Sequence, residues 1–164
     1  MINQPALVAF YAANSDIFGN IATYMPYFTA AAEVWLDQNP KLTGTLPSLE
    51  SQTSLQSFSV TECSIQGSIP PSIDNMTQLK QIWLYKNQMT GTIPSSIGNL
   101  LNLKTFASFG NQMNGAMPGE VCALKRSRLK DLEVDCAVDC QCCTCCGDAC
   151  DSGGRRLLEK KRWL

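Results

Sequence analysis

The chain has 164 residues, 45% hydrophobic and 16% charged, with a net charge of -1. Those proportions exclude a disordered chain and a coiled coil and leave one ordered domain. It contains no histidine, which removes Ser-His-Asp and Cys-His nucleophile activation and the usual zinc hydrolase ligand sets.

Residues 1–30 read as an N-terminal capping segment. The uncharged run from Ile17 to Ala32 is broken by Gly19, Asn20 and Pro26 and is too short and too polar to span a bilayer. No basic region followed by an apolar stretch marks a signal peptide. The expectation is a truncated N-terminus, with any membrane anchor on a segment outside this chain.

Residues 31–128 repeat one phrase. Leu55, Phe58, Val60, Cys63, Ile65, Gly67 and Pro70 recur 24 residues later as Leu79, Ile82, Leu84, Asn87, Met89, Gly91 and Pro94, and again as Leu103, Phe106, Ser108, Asn111, Met113, Gly115 and Pro118. An earlier copy runs through Val34, Leu36, Asn39, Leu42, Gly44 and Pro47, and a degenerate last copy, displaced by two residues, through Leu129, Leu132 and Val134. About five stacked units follow, each too small to bury its apolar face alone.

Within a unit, a stretch such as Gln81-Ile82-Trp83-Leu84-Tyr85 has period-two apolarity, which predicts a short strand with Ile82 and Leu84 inward and Trp83 and Tyr85 outward. Asn39, Asn87 and Asn111 turn inward to bond backbone groups that the turn leaves unpaired. Gly and Pro then carry the chain out of regular structure along the opposite side.

The phrase LxxLxLxxNxLxGxIP, with Leu42–Pro47 (LTGTLP) and Met89–Pro94 (MTGTIP), resembles the leucine-rich repeat family in its plant-type subclass. The resemblance implies an α/β solenoid with parallel strands on the concave face and short helical or irregular segments on the convex face. It also makes Ala6–Asp16 similar to the short helix that opens plant-type domains, although the cysteine pair that follows there is missing.

Residues 129–150 combine the last repeat with a cysteine-rich cap. Cys63 takes the Asn position of its repeat and reads as buried and unpaired. The other eight, Cys122, Cys136, Cys140, Cys142, Cys143, Cys145, Cys146 and Cys150, permit complete pairing into disulfides that staple a cap over the last unit. The overlapping C-x-x-C spacings also admit a zinc site. Eight cysteines allow 105 pairings, and adjacent ones such as Cys142 and Cys143 are expected to bond elsewhere. Cys136–Cys146 is similar to the terminal cap of leucine-rich repeat proteins from diatom-like algae, which implies repeats outside the cytosol.

Residues 151–164 form a basic tail that reads as flexible and solvated. With Lys125, Arg126, Arg128 and Lys130 it gives residues 125–164 nine Lys/Arg against seven Asp/Glu, where residues 1–124 have four against seven. No aromatic interleaving accompanies either cluster, so no nucleic-acid partner is expected. No Gly-rich phosphate loop appears, no catalytic residue is assigned and no cofactor is expected. Asp131, Glu133 and Asp135 alternate on the last strand and are expected to share its outer face as a polar edge, an open setting unsuited to a glycosidase pair.

Function falls to the outward strand positions. Trp35, Ser59, Trp83 and Ala107 form one row, continued by Glu133. Asp37, Thr61, Tyr85, Phe109 and Asp135 form the next. Trp83, Tyr85 and Phe109 predict an exposed aromatic patch with Trp35 roughly 10 Å away, unless the N-terminal segment folds over it. With Asp37 and Glu133 these are the candidate contacts for a protein or peptide ligand. Asn75, in the sequon Asn75-Met76-Thr77, is a candidate glycan acceptor.

The leading expectation is a non-catalytic extracellular recognition module, secreted or receptor-like. The alternative is a fragment of a receptor-like serine/threonine kinase whose kinase domain is absent here. A third reading, ice binding by Thr43, Thr45, Thr90 and Thr92, is set aside because Ser68 and Ala116 interrupt that ladder.

Overall fold

The structure, a computed structural model, describes residues 9–146. Each repeat contributes two strands: β1 (Ala9–Tyr11) and β2 (Gly19–Asn20), β3 (Glu33–Trp35) and β4 (Leu42–Thr45), β5 (Ser57–Ser59) and β6 (Ser64–Gly67), β7 (Gln81–Trp83) and β8 (Gln88–Gly91), β9 (Thr105–Ala107) and β10 (Gln112–Met113). The C-terminal part adds β11 (Gly115–Ala116), a helix (Gly119–Ser127), β12 (Asp131–Val134), β13 (Val138–Asp139) and β14 (Cys145–Cys146).

All pairing is parallel. The first strand of each unit enters a seven-stranded sheet ordered β1-β3-β5-β7-β9-β12-β14, and the second enters a five-stranded sheet ordered β10-β8-β6-β4-β2. Register steps by 24 residues, as Phe10 to Val34 to Phe58 to Ile82 to Phe106. It then steps by 26, from Phe106 to Leu132, which is the displacement of two read from the sequence.

The core is one stripe per unit. Val34, Phe58, Ile82, Phe106 and Leu132 from the large sheet meet Leu42, Ile65, Met89 and Met113 from the small one, all buried. On the far side, Pro71–Asn75 and Ser95–Asn99 form 3-10 turns that drop Ile73 and Ile97 into the same core. Proline suits such a start because the first N–H of a helical turn has no partner to lose.

Two features depart from the expectations. Residues 9–11 are an edge strand rather than part of an opening helix, so the N-terminal segment repeats the strand geometry with Phe10 and Ala12 in place of leucines. The Leu-Thr-Gly-Thr segments, expected to be irregular, form the second sheet. Glycine is required there: a Cβ on Gly67, at φ +72, would lie 2.9 Å from Thr45 Cγ2.

The cap is stapled by Cys122–Cys142 and Cys140–Cys143, so adjacent Cys142 and Cys143 do bond elsewhere. Those four thiols are thereby withdrawn from zinc ligation. The side chains of Cys145 and Cys146, Cys150 and the basic tail at 151–164 lie outside the described residues. Cys136 is exposed after β12.

Candidate functional site

The inward turn after each strand is held by a ladder. Asn39 Oδ1 accepts from the backbone N–H of Ser15 and Ile17, at 3.1 and 3.0 Å, and its Nδ2 donates to Ala12 and Leu36 carbonyls. Asn87 and Asn111 repeat the pattern toward Ile65 and Met89. Cys63 supplies only a weaker version, its Sγ donating to Leu36 and Thr61 carbonyls at 3.3 and 3.4 Å. It is unpaired and buried, and that burial pushes its thiol pKa up.

Asp135 ends this ladder. Its two oxygens accept from the N–H of Asn111 and Met113 at 2.8 and 3.1 Å. The expected place on the outer face beside Asp131 and Glu133 is therefore corrected. Asp135 follows Val134 directly, where the preceding unit has Phe109 and Gly110 before Asn111, and the shortened turn delivers it inward.

Just before residues 15, 39, 63, 87 and 111 the chain passes through a left-handed position: Asn14, Gln38, Glu62 and Lys86 at φ 51, 57, 54 and 55, then Gly110 at φ 68. The side chains of Gln38, Glu62 and Lys86 form a column beside the strands, in which Gln38 Nε2 lies 3.5 Å from Glu62 and Lys86 Nζ pairs with Glu62 at 3.4 Å.

The outer face of the large sheet carries the aromatic residues, but not as an exposed patch. Trp83, Ala107 and Phe109 are 7%, 1% and 4% exposed and form a second apolar cluster with half-buried Trp35 and Tyr85 against it. The expected 10 Å gap closes because the rings lean over small Ser59: the Trp35 and Trp83 centroids are 5.3 Å apart. Tyr85 stacks on Phe109 at 4.9 Å with planes 3° apart. Nor does the described N-terminal segment cover the face. It adds a ring, Tyr11, 5.9 Å from Trp35 and 64% exposed, whose hydroxyl donates to Glu33. Reading residues 6–16 as a helix hid that contribution.

The candidate acids are also buried. Asp37 Oδ1 accepts from Ser59 Oγ, Thr61 N and Thr61 Oγ1 at 2.6, 2.9 and 2.8 Å, so Asp37 ties β3 to β5. Glu133 continues the Trp35 row opposite Ala107. Its Oε2 is buried with no hydrogen-bond partner among the described residues. Burial first, then the charge of Asp131, holds its carboxyl above the usual range. Beside the rings, Ala13, Trp35, Asp37, Gln38, Thr61, Glu62 and Tyr85 enclose a recess of about 260 Å³.

Asn75 sits exposed at the end of a convex 3-10 turn, its Nδ2 donating to Ser72 O at 3.1 Å. No helix among the described residues is long and apolar enough to cross a membrane.

The leucine-rich repeat family model matches residues 54–76 and 78–100. The chain carries leucine-rich repeats. Its solenoid superposes on a chain of the BIR3–SERK2 complex from Arabidopsis thaliana with a TM-score of 0.68, at 23% identity over 74% of this chain and 65% of that one. The Arabidopsis receptor kinase HAESA, solved with the peptide hormone IDA and the co-receptor SERK1, gives 0.60 at 28% identity over 68% of this chain and 18% of that one. A plant ice-binding protein gives 0.63 at 22% identity over 79% and 43%. This leucine-rich repeat chain thus spans less than two thirds of the length of each. A search of curated proteins by sequence gives no match.

Proposed function

We propose that this leucine-rich repeat chain is a non-catalytic recognition module that takes a protein or peptide ligand on the outer face of its seven-stranded sheet. The carrying observation is the continuous aromatic shelf, with Tyr11 exposed at one end, Trp35 and Tyr85 half-buried, and Trp83 and Phe109 packed beside those rings. Rigid aromatic rings bury area at little entropic cost, which suits recognition. The HAESA complex supports the reading, because there a receptor kinase of similar fold is in complex with a peptide hormone.

The setting is an extracellular or membrane-associated one, with the repeats outside the cytosol. Two disulfides in the cap support it, because such bonds persist in oxidising compartments. The exposure of Asn75 would admit a glycan there. Ice binding remains set aside: the small sheet exposes Gln66, Gln88 and Gln112 beside Thr45 and Thr90, so its face is not a continuous row of short hydroxyl side chains.

The test is selection of a displayed random-peptide library on the purified chain. Enriched peptides should lose at least about tenfold in affinity for Tyr11→Ala and for Gln38→Lys, two exposed positions whose change leaves stability nearly intact. Failure to enrich any peptide, or capture indifferent to both variants, overturns the proposal.

A further inference from the structure

The recess beside the aromatic shelf has a chemistry of its own. Two of its walls are rings, Trp35 and Tyr85, and each is fixed: Trp35 lies between Tyr11 and Trp83, and Tyr85 is stacked on Phe109. Two other lining residues are carboxylates. Asp37 is 5% exposed, and three hydrogen bonds to one of its oxygens hold it in place at the base. Glu62 lies at the rim in the column of left-handed residues, next to Gln38. Lys86 reaches Glu62 from outside the recess, at 3.4 Å, with its side chain 52% exposed and that of Glu62 40% exposed.

Volume and charge narrow the occupant. At about 260 Å³ the recess is smaller than the roughly 300–1,000 Å³ of a metabolite pocket and has room for one long side chain. Two carboxylates repel an anion, and a purely apolar group would leave their solvation unreplaced. A flat or compact cation satisfies both kinds of wall, its positive charge facing the carboxylates and the π faces of tryptophan and tyrosine together.

We infer that this recess is a subsite for a cationic side chain, arginine or lysine, presented by the bound peptide. The inference rests on the proposed recognition of peptides by this face and names the feature such a peptide carries.

The measurement is an NMR titration following the Trp35 indole N–H, with N-acetyl-arginine amide and its neutral counterpart N-acetyl-citrulline amide as probes. The arginine probe should half-saturate at a concentration about tenfold lower than the citrulline probe, and Glu62→Gln should reduce that preference severalfold. The variant is expected to fold, because Gln38 already occupies the equivalent left-handed position at φ 57. Equal response to the two probes, or undiminished preference in Glu62→Gln, overturns the inference. Library peptides bearing Arg or Lys should compete for the same Trp35 shift. If the arginine probe binds but no such peptide competes, the recess serves a free small cation and the inference fails. A library that enriches only peptides without Arg or Lys removes this subsite while leaving the recognition surface standing.

Discussion

Trp35 and Trp83 stand two strands apart in the sheet, yet their ring centroids are 5.3 Å from one another because Ser59, on the strand between, is too small to separate them. Ser59 also donates to Asp37 at 2.6 Å. One small side chain therefore sets both the closure of the shelf and the anchoring of its acid. Ser59→Leu should wedge the indoles apart and remove one of the three hydrogen bonds to the Asp37 oxygen, costing about 1–3 kcal/mol of stability. Urea denaturation and near-UV circular dichroism would register the two effects separately.

The rings divide by what they support. Trp83 is 7% exposed and packs on both neighbours, so Trp83→Ala should lose about 3 kcal/mol. Tyr11 is 64% exposed, and Tyr11→Ala should stay within about 0.5 kcal/mol. Paired denaturation curves check the contrast; similar losses at the two positions would contradict it.

Removing a ladder side chain leaves backbone groups orphaned. Asn87→Ala strips a donor from the Val60 and Leu84 carbonyls and an acceptor from the Ile65 N–H. A loss of about 2–4 kcal/mol is expected. Hydrogen exchange should report it locally, with the Ile65 amide among the first to lose protection.

Glu133 gives stability a pH dependence of known sign. Its folded-state pKa is raised by burial and by the Asp131 charge, so the folded protein binds the proton more tightly than the unfolded chain, whose glutamate titrates near 4.3. This contribution is therefore lost as pH climbs from about 4.3 through the higher folded value. Glu133→Gln should be more stable than the parent at neutral pH and should flatten that part of the profile, as chemical denaturation across the pH range would show.

Cys63 and the cap should separate in their thiol chemistry. Burial and a raised pKa make Cys63 unreactive in the fold. Maleimide should label it only after unfolding, as mass spectrometry of the unreduced protein would show. Replacing both Cys122 and Cys142 by Ala opens a loop with a sequence separation of 20 and should cost about 3 kcal/mol.

Much of this was legible in the letters. Leu79, Ile82 and Leu84 recur at a fixed spacing because every unit buries the same stripe, and the Asn positions recur because every turn leaves the same backbone groups unpaired. The first strand escaped notice because Phe10 and Ala12 replace leucines and Ser15 replaces the asparagine. The second sheet escaped because its hydrogen bonds run between units: nothing local to Gln88–Gly91 announces a strand until Ser64–Gly67 lies beside it. The burial of Trp83 and Phe109 is likewise a property of neighbours. Period-two alternation gave the correct face, but only the stack shows that outward rings cover one another. Asp135 was misplaced because strand alternation was carried one residue past the end of β12 at Val134.

The asparagine ladder runs one way: each rung closes groups of the unit before it, and Asp135 does so for Asn111 and Met113. On the ribosome, where the N-terminal part emerges first, a unit is finished only when its successor has been made. At about 5–20 residues per second that wait is roughly 1–5 s for 24 residues. Every newest unit is thus exposed for that interval with its turn amides unsealed, and a pause in synthesis leaves the vulnerable seam at the growing end while the older units stay locked.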